Sequence, residues 1–132
     1  MAFMPWNEEL ALGMASIDEQ HQALVHHINT LHEQLGNPKA LGALLEDLVD
    51  TAMNHFIAEE ELLKRHGYAQ AEAHTSAHSG QTGQLVQLLD QFQADAAAFN
   101  QASLAALKDW LTRHIQVDDQ ACVAFLKSKG EQ

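Results

Sequence analysis

Three helical stripes in this chain place histidine where the repeat asks for a hydrocarbon. In "SIDEQHQALVHHINTLHEQL", the positions Ile17, His21, Leu24, Ile28, Leu31 and Leu35 recur at intervals of three and four residues, the repeat of one helix face. A second stripe carries Leu41, Leu45, Leu48, Ala52, His55, Glu59 and Leu62, and a later one carries Leu104, Leu107, Leu111 and His114. Between them, His74 and His78 open a stripe that continues through Leu85, Leu88 and Phe92. Burying an imidazole without a partner is costly. A fold that buries these stripes must therefore give the histidines something to meet.

Turn signals divide the stripes. Ser16 and Glu19 stand in capping-box spacing at the start of the first helix. "GNP" at 36–38 ends that helix, and Pro38 suits the first turn of the next. The second helix should end near Gly67, the third should run from about Ala69 to Asp95, and the fourth covers "ASLAALKDWLTRHI" with a short helix after it. Residues 1–14 read as an irregular arm that Trp6 could pin to the body. Strand signals, internal repeats and low-complexity tracts are absent. Helices joined by short connections predict an all-α fold, an antiparallel up-down-up-down four-helix bundle with an N-terminal arm and a short C-terminal helix. A single domain over residues 1–132 is expected.

Counting from the turns brings the histidines together. From the turn near 37, His21 lies 16 residues back, while His55 and Glu59 lie 18 and 22 forward. From the turn near 68, His55 and Glu59 lie 13 and nine back, and His74 and His78 lie six and ten forward. From the turn near 97, His78 and His74 lie 19 and 23 back, and His114 lies 17 forward. At about 1.5 Å per residue these offsets agree to within a turn or two of helix. Antiparallel packing then puts all of them in one layer at one end of the bundle.

The composition narrows what such a layer can serve. Asp and Glu number 18 against seven Lys and Arg, with no Lys or Arg before Lys39 and none between Arg65 and Lys108. Nucleic-acid and anionic-membrane surfaces need clustered positive charge, so no nucleic acid and no membrane partner are expected. Hydrophobic residues make up 46%, yet no stretch approaches the roughly 20 apolar residues of a membrane span. The N-terminus lacks a signal-peptide pattern, and the single Cys122 fits a reducing compartment. A cytoplasmic location is expected.

Five imidazoles and at least one carboxylate exceed what one tetrahedral zinc requires. The pairs His55/Glu59 and His74/His78 have the i, i+4 spacing that shares a helix face. The set suits two ions of a transition metal that accepts imidazole and carboxylate. Neither His-Glu-x-x-His nor the Glu-x-x-His of carboxylate-rich di-iron bundles occurs.

The ordered series "PW", "DEQH", "HFIAEE", "GY", "HTSAH" and "WLTRHIQVDD" resembles the hemerythrins, in particular the single-domain bacterial ones, over nearly the whole chain. The resemblance implies two non-haem iron ions bridged by an oxo or hydroxo group, with O2 as ligand. It implies that His74, His78 and His114 hold one iron, that His21 and His55 hold the other, and that Glu59 and one aspartate bridge them. From family positions, Leu24, Phe56, Trp110 and Leu111 would wall the pocket at the open position of the two-histidine iron, although the same residues read equally well as core. The bridging aspartate divides the two lines of argument. On a straight helix Asp118 lies about 40° from the face of His114 and Asp119 about 140°. The family pattern instead selects Asp119, and that requires a break in the helix after Ile115.

Nearby polar residues read more plainly. Asp18 and Gln20 could orient His21 from behind, or Asp18 could serve as first-turn helix charge. Glu60 and Glu61 read as a solvated face, and Cys122 as a small buried apolar residue. His26, His27, His32 and His66 fall outside the motifs. The function implied is reversible O2 binding for storage, delivery or buffering, with dioxygen as the partner and no catalytic residue. Nothing in 132 residues is left over for a signalling output. The alternatives are a di-iron peroxidase, oxidase or nitric-oxide-handling enzyme, which would need an acid or base beside the open iron, and a metal-buffering bundle.

Overall fold

The computed structural model describes residues 2–131. Its main helices are α1 (Ala15–Glu33), α2 (Pro38–Arg65), α3 (Ala71–Ala94) and α4 (Gln101–Arg113), with a short α5 (Gln120–Ser128) at the end. They form the four-helix bundle the stripes require, and no strand occurs among the described residues. The stripes face inward: α1 buries Ile17, His21, Leu24, Ile28 and Leu31, and α2 buries Leu41, Leu45, Leu48, Ala52, His55 and Glu59. No helix among these residues is long and apolar enough to cross a membrane.

The helix ends show which local signals hold. Pro38 occupies the first turn of α2, as its fixed φ favours. Gly67 closes α2 at φ +69°, where Tyr68 N–H reaches back to the Leu63 carbonyl at 3.0 Å; only glycine adopts that conformation without strain. The capping box expected at Ser16 and Glu19 does not form. Instead α1 starts two residues earlier, after Met14, with no side-chain cap. Asp18 turns back to accept Leu12 N–H at 2.9 Å and Gly13 N–H at 3.1 Å. The capping box is at α4, where Asn100 accepts from Ala102 and Ser103 and Ser103 returns the bond.

The arm is held by more than Trp6, which packs half-buried against the core. Met4 and Leu10 are buried, and the Asn29 side chain clamps Met4 by its N–H at 2.7 Å and its carbonyl at 2.9 Å. Lys108 donates to the Phe3 carbonyl at 3.1 Å. Around the bundle, α1 packs on α2 and α4, and α2 on α3. The α3–α4 side is left with a cleft.

Between α4 and α5 the chain makes a π-helical segment, His114–Asp119. Hydrogen bonds of the i→i+5 kind absorb one extra residue and stack side chains five apart. Along this stretch Leu104, Leu107, Leu111, His114, Ile115, Asp119, Cys122, Val123 and Leu126 are buried, and the cluster residues His114 and Asp119 stand five apart. The π turn spans that interval. This is the break after Ile115 that Asp119 needs.

Candidate metal centre

The helices α1, α2 and α3 and the π segment after α4 each supply part of one buried cluster. His21 comes from α1, His55 and Glu59 from α2, His74 and His78 from α3, and His114 and Asp119 from the π segment. Their exposures range from 0% for His21, Glu59 and Asp119 to 8% for His74. Asp119 stands at the middle. Its Oδ2 lies 2.7 Å from His21 Nε2, 2.9 Å from His114 Nε2 and 3.0 Å from His55 Nε2, and its Oδ1 lies 3.4 Å from His74 Nε2. Glu59 pairs with His74 through Oε1 and lies 3.3 Å from His78 Nε2 and 3.6 Å from His55 Nε2.

The donor atoms form two groups, each within 4.8 Å: His21, His55, His114 and Asp119, and Glu59, His74, His78 and Asp119. Asp119 belongs to both. The grouping puts His114 beside His55, 3.0 Å between the Nε2 atoms, whereas the family resemblance implies His114 as a ligand with His74 and His78. Asp118, which a straight helix would favour, stays at the edge: its side chain is 31% exposed and its Oδ2 is 3.6 Å from His114 Nδ1.

The donor set fits a transition-metal pair. Imidazole and carboxylate are the ligand types such ions take. Glu59 Oε2, His78 Nε2 and Asp119 Oδ1 are buried without a hydrogen-bond partner in the protein, lone pairs that a folded interior rarely leaves unused. The charges agree. Burial opposes a proton on His74, but Asp119, Cys122 and Glu59 outweigh it, and its pKa is pushed up to about 12. For His114 burial is likewise outweighed, here by Asp119 and Asp118, and the pKa rises to about 9. Burial works against charge on Asp119 too, yet His114, His21 and His55 hold it well below the usual carboxylate range. His21 goes the other way: burial pushes its pKa down despite Asp119.

The residues behind the cluster differ from the sequence reading. Gln20 accepts from His55 Nδ1 at 2.6 Å rather than orienting His21, and Asp18 is occupied by the arm. Glu60 is no solvated bystander, since its Oε2 is 3.5 Å from His78 Nδ1 and its side chain only 18% exposed. Cys122 touches His74 Nδ1 through Sγ at 3.3 Å, and burial pushes its thiol pKa up. These partners depend on how each helix is rotated about its axis, which spacing alone does not give. His27 bonds Thr51 at 3.0 Å, His66 pairs with Glu131 at 2.9 Å and His32 stacks on Phe3, all outside the cluster.

Of the expected walls, Leu24, Phe56 and Leu111 are buried and Trp110 is half-buried. Phe56 stacks on His78 with centroids 4.1 Å apart and lies 5.7 Å from His55 and 5.5 Å from His114. Trp110 stacks on His114 at 5.8 Å. One residue escaped the sequence reading. Gln81, three positions after His78, bonds both Asp118 and Trp110 across the cleft; a polar residue one turn from an inward histidine was the available signal.

Known proteins are similar to this chain in sequence and fold. The hemerythrin HHE cation-binding domain model matches residues 12–126. Bacteriohemerythrin of Stenotrophomonas maltophilia is 32% identical over 100% of this chain and 87% of its own length. That of Methylococcus capsulatus is 32% identical over 91% and 94%, and that of a Pseudomonas aeruginosa strain is 34% identical over 93% and 81%. The crystal structure of a wild-type hemerythrin superposes with a TM-score of 0.88 at 31% identity, covering 95% of this chain and 98% of that one. The buried histidine and carboxylate layer, the bundle around it and these likenesses agree: this chain belongs to the hemerythrin family, with a hemerythrin-type iron site.

Proposed function

We propose that the protein holds two non-haem iron ions and binds O2 reversibly, for storage, delivery or buffering of oxygen. The observation that carries the reading is Asp119: one fully buried carboxylate common to two groups of donors. In the split that the family resemblance implies, His21 and His55 would hold one ion and His74, His78 and His114 the other, with Glu59 and Asp119 bridging, although His114 Nε2 lies nearer His55. When bound, a ferrous pair supplies two electrons to a small oxidising ligand and recovers them on its release.

The chain's own part is to fix the ligands and keep the site dry. Gln20, Glu60 and Cys122 face the rear nitrogens of His55, His78 and His74, which sets the ring orientations and leaves the Nε2 atoms for metal. Leu24, Phe56 and Leu111 offer apolar surface and no proton donor. The Trp110 N–H is engaged by Gln81 at 3.2 Å. Without an acid in the pocket, the walls favour release of O2 over its cleavage, which is why a non-enzymatic role is the better reading. The single free cysteine supports a cytoplasmic setting for that role.

The test is metal analysis of protein produced with ample iron, followed by optical spectra through repeated cycles of air and inert gas. Two irons per chain and return of the deoxygenated spectrum support the reading. One metal per chain, zinc in place of iron, or sustained consumption of a reductant in air would overturn it.

A further inference from the structure

His114 is the one histidine of the cluster outside the regular α-helices. It follows the last residue of α4 and begins the π turn, beside the α3–α4 cleft, a space of about 510 Å³ lined in part by Gln81, Trp110, His114 and Asp118. Its Nδ1 is buried with no hydrogen-bond partner, and the carboxylate facing that atom is Asp118 at 3.6 Å. The Trp110 ring lies on its face at an interplanar angle of 25°.

Both neighbours are fastened from across the cleft by one side chain. Gln81 donates its Nε2–H to Asp118 Oδ2 at 2.9 Å and accepts the Trp110 N–H at its Oε1 at 3.2 Å. An indole only donates and a carboxylate only accepts, so the residue between them must do both. A primary amide does; a carboxylate or an ammonium would satisfy one end and repel or ignore the other. The two contacts also fix which end of the amide is which.

We propose that Gln81 and Asp118 form a brace that positions His114 as a metal ligand. The Asp118 carboxylate, 3.6 Å from His114 Nδ1, favours the tautomer that carries its proton on Nδ1 and leaves Nε2 free for metal, and Gln81 holds Asp118 and Trp110 in place. Carboxylate behind a ligating imidazole also makes the ring a stronger donor. The brace rests on the metal assignment of His114 in the proposed function and is independent of O2.

The probe is Co(II) bound to the full chain in place of iron. Asp118→Asn and Gln81→Leu are expected to release Co(II) to a chelator on the order of 10-fold faster than the unsubstituted protein. The double variant should be no faster than the faster single, because the two act in series. Gln81→Glu, which keeps an acceptor for Trp110 but repels Asp118, should behave like Gln81→Leu. In proton spectra of the Co(II) form, one exchangeable imidazole N–H signal should be lost or exchange faster in each variant while the others persist. Asp118→Asn conserves shape at a part-exposed position and tests the brace even if Gln81→Leu folds poorly. Release and N–H signals unchanged in Asp118→Asn would overturn the proposal, as would single effects that multiply in the double variant. An iron form indifferent to O2 would sink the functional reading and leave the Co(II) result standing.

Discussion

Loading the centre with divalent metal should expel about two protons per chain near neutral pH. Glu59 and Asp119 are buried among five imidazoles, and both favour protons on His74 and His114, whose pKa values rise to about 12 and about 9. A metal bound at Nε2 needs the neutral ring, so the ion held by His74, His78 and His114 replaces both protons. A raised folded pKa stabilises the metal-free fold fully below the ordinary histidine value of about 6.5. For His114 that contribution is lost as pH rises through about 9, and for His74 only near 12. Apparent metal affinity should follow the opposite course. Each displaced proton is worth about 1.4 kcal/mol per pH unit, so two give roughly a hundredfold gain per unit below pH 9. Anaerobic titration calorimetry in buffers of different ionisation enthalpy counts the protons directly. The count should fall toward about one above pH 9, where metal-free His114 has already lost its proton. A count near zero at pH 7 would mean that the imidazoles are neutral, and the charge argument would be wrong.

Three further outcomes follow from the geometry. Asp119→Ala should lose both metals, whereas Asp118→Ala should keep two and release them faster; metal content after gel filtration separates the cases, and equal loss would refute the central role of Asp119. Deleting Val117, which is 66% exposed, should turn the π segment into ordinary helix. His114 and the aspartate now at 119 would then stand four apart on one helix face, so metal content should survive the deletion, and its loss would show that the wider turn itself is required. Phe56→Ala removes a ring that is 2% exposed and should cost about 3–5 kcal/mol by denaturant unfolding of the metal-free protein. It should also hasten irreversible oxidation of the iron form by admitting water.

The bundle was legible because a helical face repeats every three or four residues and because turns at 36–38 and near Gly67 set the helices antiparallel. The histidine layer was legible for the same reason: offsets from a turn are distances along a helix. Asp119 was not legible from spacing on a regular helix. The π turn that selects it is a backbone event that the apolar repeat conceals, because buried Ile115 keeps a regular three-and-four spacing from Leu111 to Asp119. The rear partners were harder still. Gln20 follows Glu19 on α1 yet serves His55 on α2, and Cys122 serves His74 on α3; such pairings come from the rotation of neighbouring helices, which no single stretch encodes. Gln81 belongs with these, its purpose defined by Trp110 and Asp118 on the opposite wall.

A π turn is an α-helix carrying one residue beyond its repeat, and its hydrogen bonds hold less well than those on either side. In this chain it joins α4, anchored by Leu104, Leu107 and Leu111, to α5, anchored by Cys122, Val123 and Leu126. The joint is therefore the place where the C-terminal helix opens with least disturbance to either anchor. Asp119 sits on that joint, and the other six cluster residues apart from His114 do not. Opening of residues 114–119 withdraws the carboxylate common to both donor groups while α1, α2 and α3 remain packed. The residence time of metal is then governed by a local fluctuation, faster than unfolding of the bundle, and amide exchange across this segment should report it.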